Sequence, residues 1–228
     1  LKKTYNIELE TISLTGSNIR VEGVTGSKIF GTDDVLIRNT GELINVYFEG
    51  VSLESSGTLD SPYGLFSSQD RRVEGLSFVN CSFSAPVSSS NAIKVINEGS
   101  LIVDNISIRN CKFIDIGRMA IEFQNHVFDG ASRYSNVSIQ DNIFYNTGSV
   151  SIYGMAISLS GIGTNLSITN NKIQQAKNIA IELVTGTSYV TISGNLINNL
   201  KTGCVPISFS GLTTYPHSDV VISNNITF

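Results

Sequence analysis

The sequence predicts an all-β solenoid, in which the chain winds through about seven coils and the strands of successive coils pair in parallel. Three observations lead to this prediction. A short motif recurs along the chain, each copy alternates between apolar and polar residues, and an asparagine recurs just after one strand of the motif. Self-similarity of this kind is typical of architectures in which each unit packs only against its neighbours.

The repeat consists of two interleaved series of predicted strands. Their spacing drifts between roughly 24 and 36 residues, which is too irregular for a repeat built from helices of fixed length. The first series reads NISIRNCKFIDI (105–116), NVSIQDNIFYNT (136–147), NLSITNNKIQQA (165–176), YVTISGNLINNL (189–200) and DVVISNNITF (219–228). The second series reads AIKVINE (92–98), AIEFQNH (120–126), AISLSGI (156–162), AIELVTG (180–186) and PISFSGL (206–212). Weaker copies of the first series begin at residues 18, 45 and 75.

Alternation within each copy has a period of two, which is the signature of a β-strand with one buried and one exposed face. In the second series, Ile93 and Val95, like Ile121 and Phe123, are predicted to face inward. The residues between them then form two outward columns. One column contains Lys94, Glu122, Ser158, Glu182 and Ser208, and the other contains Ile96, Gln124, Ser160, Val184 and Ser210.

The composition excludes several classes of protein. Charged residues make up 15% of the chain, against roughly 25% in an average domain, which argues against a highly charged disordered chain. A net charge of -4 argues against nucleic-acid binding, because such proteins carry basic surfaces. No apolar run approaches the roughly 18 residues of a membrane span. No metal-ligand spacing occurs, and we expect no cofactor.

The chain is expected to form a single domain over residues 1–228 and to be a fragment of a longer protein. It begins at Leu1 without a methionine or a signal-peptide pattern, and the last copy of the motif stops at Phe228 within a predicted strand. A solenoid that ended there would leave an open strand edge, which repeat proteins normally cover with a cap.

One position just after the first-series strand carries mostly amide and thiol side chains. Aligned copies place there Val51, Cys81, Cys111, Asn142, Asn171, Asn195 and Asn225. Asparagine tolerates left-handed backbone angles, and stacked asparagines can hydrogen-bond from coil to coil. Cys81 and Cys111 are then predicted to stack one coil apart, facing inward, as small apolar fillers or at a separation that also permits a disulfide.

These repeats, from about Asn18 onward, resemble the right-handed, single-stranded parallel β-helix of the pectate-lyase-like superfamily, in which internal asparagine ladders recur. The irregular coils and the stretch GRMAIEFQNH (117–126) look most like those of phage tailspikes. That resemblance implies a protein of the virion tail or the extracellular space that binds, and often cleaves, bacterial surface polysaccharide. It also implies a parallel homotrimer. An outward apolar stripe is the expected contact: Ile114, Ile143, Tyr145, Leu196 and Ile226.

Glu122 and Glu182 are candidate catalytic residues of a glycosidase, because they share an outward column with one serine between them. Two coil spacings separate their backbones by about 9.6 Å, which brings the carboxyls near the roughly 6.5–9.5 Å of inverting enzymes. Arg118 is expected to keep Glu122 charged as the base, which leaves Glu182 as the acid. His126 ends the Glu122 strand and is the third catalytic candidate.

Five residues are predicted to contact the sugar chain. Two long insertions flank the strand column and would form the walls of a groove. Guanidinium and aromatic groups bind sugars through charged contacts and stacking, and hydroxyl and amide groups bind them through hydrogen bonds. The predicted substrate-binding residues are Arg118, Gln124, Tyr153, Ser158 and Ser160.

Two other functions remain open from the sequence. A polysaccharide lyase would use His126 or Tyr153 to abstract a proton, while Arg118 balances the charge of a uronate. A non-catalytic β-helix would bind glycan or serve as a structural stalk. In that case Glu122 pairs with Lys94 or Arg118 on a solvated sheet.

Overall fold

A computed structural model of the protein describes the backbone of residues 4–7 and all atoms of residues 11–24, 27–32, 35–57, 64–87, 90–98, 101–125, 129 and 133–228. Within these ranges the chain forms twenty-three β-strands and no helix. Every strand pairing between them is parallel. This part of the chain therefore contains no helix that could span a membrane. The predicted all-β solenoid of parallel strands is confirmed.

One side of the solenoid is a nine-stranded sheet, called sheet A below, to which each coil contributes one strand. Its strands, in spatial order, are β1 (Thr4–Ile7), β3 (Lys28–Gly31), β5 (Ser52–Ser55), β8 (Ser82–Ala85), β11 (Lys112–Ile116), β14 (Ile143–Thr147), β17 (Lys172–Gln174), β20 (Leu196–Asn198) and β23 (Ile226–Thr227).

The other two sides, called face B and face C, belong to one 14-stranded sheet. They are continuous because β2 (Ile12–Glu22) and β4 (Ile37–Glu49) run along both. Face B continues with β6 (Gly64–Gln69), β9 (Asn91–Ile96), β12 (Ile121–Gln124), β15 (Ile157–Ser160), β18 (Ile179–Val184) and β21 (Val205–Ser210). Face C continues with β7 (Val73–Val79), β10 (Val103–Arg109), β13 (Tyr134–Gln140), β16 (Gly163–Thr169), β19 (Ser188–Ser193) and β22 (Ser218–Ser223).

Each coil therefore contains three strands, although the sequence indicates only two series. The second series is face B, as its alternation predicts. The first motif holds two strands, because a residue with left-handed backbone angles turns the chain from face C into sheet A. In the motif at 105–116 that residue is Asn110, with φ of 54°, between β10 and β11.

Left-handed corners also explain why Asn-x-Ser recurs along the chain. Asn105, Asn136 and Asn165 have φ values of 55°, 52° and 56°, a region in which asparagine is among the few tolerated non-glycine residues. Their side chains are exposed and bond along the solenoid, since Asn165 Nδ2 donates to Asn136 Oδ1. The recurring asparagines are thus selected by backbone geometry at a bend in each face C strand.

The predicted internal asparagine ladder is present. Asn142 donates its side-chain N–H to Oδ1 of Asn171 at 3.0 Å, Asn171 donates to Asn195 at 3.0 Å, and Asn195 to Asn225 at 2.9 Å. Each Nδ2 also donates to a backbone carbonyl of the preceding coil, as Asn171 does to Ile139 at 2.9 Å. Asn142, Asn171 and Asn195 are at most 1% exposed, so these bonds satisfy amides that water does not reach.

Two thiols continue the ladder where asparagine is absent. Cys111 Sγ donates to the Phe78 carbonyl at 3.4 Å and Cys81 Sγ to the Phe48 carbonyl at 3.6 Å. The asparagines make their backbone contact at the same position, because Phe78 is in register with Ile108, whose carbonyl accepts from Asn142. Both cysteines are buried and unpaired, as the filler interpretation predicts. The contact with Cys81 and burial raise the pKa of the Cys111 thiol.

Apolar side chains stack along the axis inside the coils. Phe83, Phe113 and Phe144 follow one another on sheet A with ring centroids 4.8 Å and 4.7 Å apart and nearly parallel rings. These three rings are at most 1% exposed. Stacks of identical side chains form here because the parallel register places equivalent residues about 4.8 Å apart in every coil.

The outward stripe expected on sheet A is interrupted. Ile143, Tyr145 and Ile226 are 37%, 38% and 52% exposed. Lys172, however, lies in register between Ile143 and Leu196. A charged side chain therefore divides the apolar column, and a trimer built on this side remains a proposal.

Replacing Asn171 with alanine is expected to lower the free energy of unfolding by about 3 kcal/mol. The change leaves the Asn142 amide and the Ile139 carbonyl without partners in the interior, and an unsatisfied buried polar group costs roughly 1–3 kcal/mol. Urea unfolding followed by circular dichroism measures the loss.

Ser167→Ala is the matched control, because Ser167 lies outward on face C next to the same corner, at a half-buried position. Its effect is expected to stay within about 0.5 kcal/mol. Equal losses for the two variants would show that the ladder contributes no more than a surface hydroxyl.

Candidate functional site

Face B carries one continuous outward column of polar residues. The strand register places these residues side by side in successive coils, and it extends the predicted column by three members at its start: Ser13, Arg38, Ser67, Lys94, Glu122, Ser158, Glu182 and Ser208. The residues on either side point inward as predicted, since Ile121 and Phe123 are at most 1% exposed.

The middle of this column is outward but not solvated. Lys94, Glu122 and Ser158 are only 3%, 4% and 3% exposed, whereas Glu182 is half-buried. The expectation of a wet sheet around Glu122 is therefore wrong. The reason is tertiary: Arg118, which precedes the strand, lies over the carboxylate, and its guanidinium lies 5.7 Å from the centre of the Tyr153 ring.

Glu122 is the centre of a buried ion cluster. Its Oε2 accepts hydrogen bonds from Lys94 Nζ at 2.9 Å, from Arg118 Nη1 at 3.1 Å and from Asn91 Nδ2. Oδ1 of the Asn91 side chain accepts the Met119 backbone N–H at 3.2 Å, which fixes the orientation of the side-chain amide. The predicted pairing of Arg118 with Glu122 is thus seen, and so is the alternative pairing with Lys94.

The cluster holds two cations against one carboxylate. Burial lowers the pKa of the Lys94 ammonium, and the Glu122 carboxylate opposes that shift. Sequence reasoning did not identify Asn91, which begins β9 and points its amide at a carboxylate one coil away. The only available signal was a polar residue two positions before the inward Ile93.

Glu182 lies two strands from Glu122 with Ser158 between them in register. Ser158 Oγ donates to Glu182 Oε2 at 2.7 Å. Two strand spacings separate the Glu122 and Glu182 backbones by about 9.6 Å, as the sequence predicts. One carboxylate is therefore enclosed by cations, and the other is half-open and holds a hydroxyl.

The remaining predicted site residues are distributed around these carboxylates. Gln124 and Ser160 are paired in the second outward column of face B, and both are half-buried. Tyr153 is 52% exposed in the insertion between β14 and β15. His126 lies outside the described residues. The structure thus gathers the other seven predicted residues on one side of face B.

The segment after β21 lies at the edge of face B and contains His217. His217 Nε2 contacts the Ser210 carbonyl at 3.0 Å, and Nδ1 contacts Thr187 Oγ1 at 2.6 Å. Because a carbonyl only accepts, Nε2 carries the proton in this arrangement. His217 is therefore engaged on both ring nitrogens and fastens this segment to the edge of face B.

Replacing Lys94 with methionine is expected to lower the free energy of unfolding by about 3 kcal/mol, because the buried Glu122 carboxylate loses its buried cationic partner and keeps only the partly exposed Arg118. Adding Glu122→Gln to this variant should recover part of the loss. A double-mutant cycle in urea measures the coupling.

Lys112→Met is the control for this cycle, since Lys112 is exposed on sheet A and forms no ion pair with any described residue. Its cost is expected within about 0.5 kcal/mol. Strict additivity of Lys94→Met and Glu122→Gln would contradict a coupled cluster.

Comparison with solved structures finds this fold in a protein of known structure. PfbA, a surface adhesin of Streptococcus pneumoniae, superposes with a TM-score of 0.59 at 15% sequence identity, covering 99% of this chain and 62% of that one. A protein of Geobacillus virus E2, ORF18, gives a TM-score of 0.37 at 14% identity, with 100% and 52% coverage. The chain thus spans less than two thirds of either protein. At these identities the likeness to PfbA shows the fold alone.

Comparison of sequences identifies the family. No curated protein matches the sequence. The sequence profile of the family described as "Right handed beta helix region" matches residues 10–227. That range includes face B with its polar column and all of face C. The parallel coils, the inward asparagine ladder and this match agree, and the chain belongs to the right-handed β-helix family.

Proposed function

We propose that the chain is a polysaccharide-binding β-helix of a bacterial or virion surface, and that face B is where the glycan lies. The observation that carries this proposal is the outward column itself. It runs from an enclosed cationic cluster at Lys94 and Glu122 to accessible polar groups at Glu182 and Ser208, with the exposed Tyr153 ring beside it.

The chemistry of these groups suits sugars. Gln124 and Ser160 offer amide and hydroxyl partners for sugar hydroxyls. Tyr153 offers an aromatic face for the apolar side of a sugar ring, held in place by the guanidinium of Arg118. The parallel sheet presents Gln124 and Ser160 in fixed positions, which lowers the entropic cost of binding a flexible polymer.

The wider setting supports the same proposal. The sequence resembles phage tailspikes, and PfbA, which shares the fold, is a surface adhesin. Bacterial surface polysaccharide is therefore the proposed partner, and the virion tail or the extracellular space the proposed location. A parallel homotrimer remains part of the proposal, and light scattering tests it.

Binding to face B predicts that Tyr153→Ala and Gln124→Ala each weaken the affinity for a bound surface polysaccharide by about fivefold or more, because each removes a stacking or hydrogen-bonding contact. Isothermal titration with purified capsule or lipopolysaccharide fragments measures the change.

Tyr189→Asn is the control, since Tyr189 is 65% exposed on face C at a left-handed corner that asparagine occupies in other coils. Its affinity is expected to equal that of the wild type. Failure of the wild-type chain to bind any surface polysaccharide would overturn the proposal, as would an equal loss in Tyr189→Asn.

Glycoside hydrolysis is the second candidate, favoured by the placement of Glu122 and Glu182 in one column with backbones about 9.6 Å apart. Glu122 would act as base and Glu182 as acid, with His126 as a further catalytic candidate. We rank binding first because Glu122 Oε2 already accepts from Lys94 and Arg118, which compete with a water for that oxygen.

Hydrolysis predicts that Glu122→Gln and Glu182→Gln each reduce the release of reducing ends by about 10²–10⁴, the usual effect of removing a general acid or base. Binding should change little in Glu182→Gln. An unsaturated product absorbing in the ultraviolet would instead indicate a lyase that uses Tyr153 or His126. Unchanged turnover in both variants would exclude the two glutamates as catalytic residues.

A further inference from the structure

A recess opens at the Arg38 end of the polar column on face B. It has a volume of about 350 Å³ and lies where β4 and β6 leave face B. Pockets that hold small ligands begin near this size. Seven residues line it: Arg38, Asn39, Thr40, Ser67, Gln69, Asp70 and Arg71.

The lining of this recess contains more basic than acidic residues. Among the seven, Arg38 and Arg71 are basic and Asp70 is acidic, whereas the whole chain has 15 basic and 19 acidic residues. Both arginines are exposed. Guanidinium groups that face a recess favour an anionic ligand.

The Asp70 carboxylate is engaged by a backbone N–H group and forms no ion pair with Arg71. Asp70 Oδ1 accepts the backbone N–H of Glu98 at 2.8 Å, and the Asp70 carbonyl accepts from Arg71 Nη1 at 2.9 Å. Among the described residues no carboxylate forms an ion pair with Arg71. The guanidinium is therefore oriented by a backbone oxygen while its charge is left for a ligand.

The base of the recess is rigid and polar. Asn39 Nδ2 donates to Ser68 Oγ at 2.9 Å, and its Oδ1 accepts the Gly41 N–H at 3.0 Å. Thr40 and Gln69 are exposed beside it and carry free hydrogen-bonding capacity for hydroxyl groups. A preformed site of this kind loses little entropy when it binds.

Register connects the recess to the rest of face B. Arg38 pairs with Ser67, and Ser67 with Lys94, so the recess lies one strand from the buried cationic cluster. The column is thus positive at its Arg38 end and acidic at Glu182. A polysaccharide that lay along the column would therefore place sugar units of different charge at its two ends.

We propose that this recess is a subsite for a carboxylate-bearing sugar unit, with Arg38 and Arg71 as its anion-binding residues. The planar guanidinium matches a carboxylate through two parallel hydrogen bonds, and Gln69, Thr40 and Ser67 would take the ring hydroxyls. This inference rests on the proposed glycan binding by face B and names one chemical requirement of the glycan.

The test uses the full chain and a tetrasaccharide of alternating glucuronate and N-acetylglucosamine, compared with the same oligomer after reduction of its carboxyls to alcohols. We expect the acidic oligomer to bind more tightly than the reduced one, and its affinity to fall as salt is raised. Arg38→Gln and Arg71→Gln should each weaken acidic-oligomer binding about tenfold, the usual effect of losing a hydrogen bond to a charged group.

Controls separate this site from bulk charge and from misfolding. Arg109→Gln removes an exposed arginine from face C and should leave the affinity unchanged. Arg71→Lys keeps the positive charge but loses the planar guanidinium with its two parallel hydrogen bonds. Its affinity for the acidic oligomer should lie between those of the wild type and Arg71→Gln. Equal binding of the two oligomers, or an equal loss in Arg109→Gln and Arg71→Gln, overturns the subsite.

The same titrations distinguish this proposal from the one it rests on. If Tyr153→Ala weakens both oligomers while Arg71→Gln weakens neither, face B binds glycan and the subsite is refuted. If Arg71→Gln weakens only the acidic oligomer while Tyr153→Ala changes nothing, the subsite stands and the glycan path past Tyr153 is refuted.

Discussion

Hydrogen bonds that run along the solenoid axis keep successive coils in register, and the other features of the molecule depend on that register. The internal ladder from Asn142 to Asn225 joins coils at one corner, and left-handed residues such as Asn110 repeat that corner in each coil. Because side chains alternate with a period of two, a slip of one residue would turn inward Ile121 to solvent and Glu122 into the core.

The same register brings together charges that are distant in the sequence and produces a face whose burial differs from end to end. Lys94 and Glu122 are 28 residues apart in the sequence, yet they meet because equivalent positions of adjacent coils lie side by side. Arg118, itself partly exposed, then covers them, and two basic side chains contact one buried carboxylate. Face B consequently differs along its length, enclosed near Lys94 and accessible near Glu182.

Low identity to PfbA is consistent with how such a fold is specified. Each coil requires apolar residues on its inner side and, at its corners, residues that tolerate left-handed backbone angles. Buried amides also require hydrogen-bond partners. Many sequences meet these requirements. Outward columns are not constrained in this way, so functional differences between β-helices arise there. The polar column and the recess at Arg38 are properties of this chain's outward residues rather than of the fold.

The sequence by itself determined the parallel solenoid, the ladder at Asn142, Asn171 and Asn195, and the shared column of Glu122 and Glu182, because repeat length and period-two alternation are local patterns. Only the tertiary structure decided that Glu122 is buried and that Asn91 donates to it beside the predicted partner Arg118. Two segments that are distant in the sequence, residues 91–94 and 118–122, meet at one carboxylate there, and burial is a sum over neighbours that a local pattern does not contain. The third strand of each coil was likewise hidden inside a continuous motif, since its boundary is a backbone angle rather than a change in residue type.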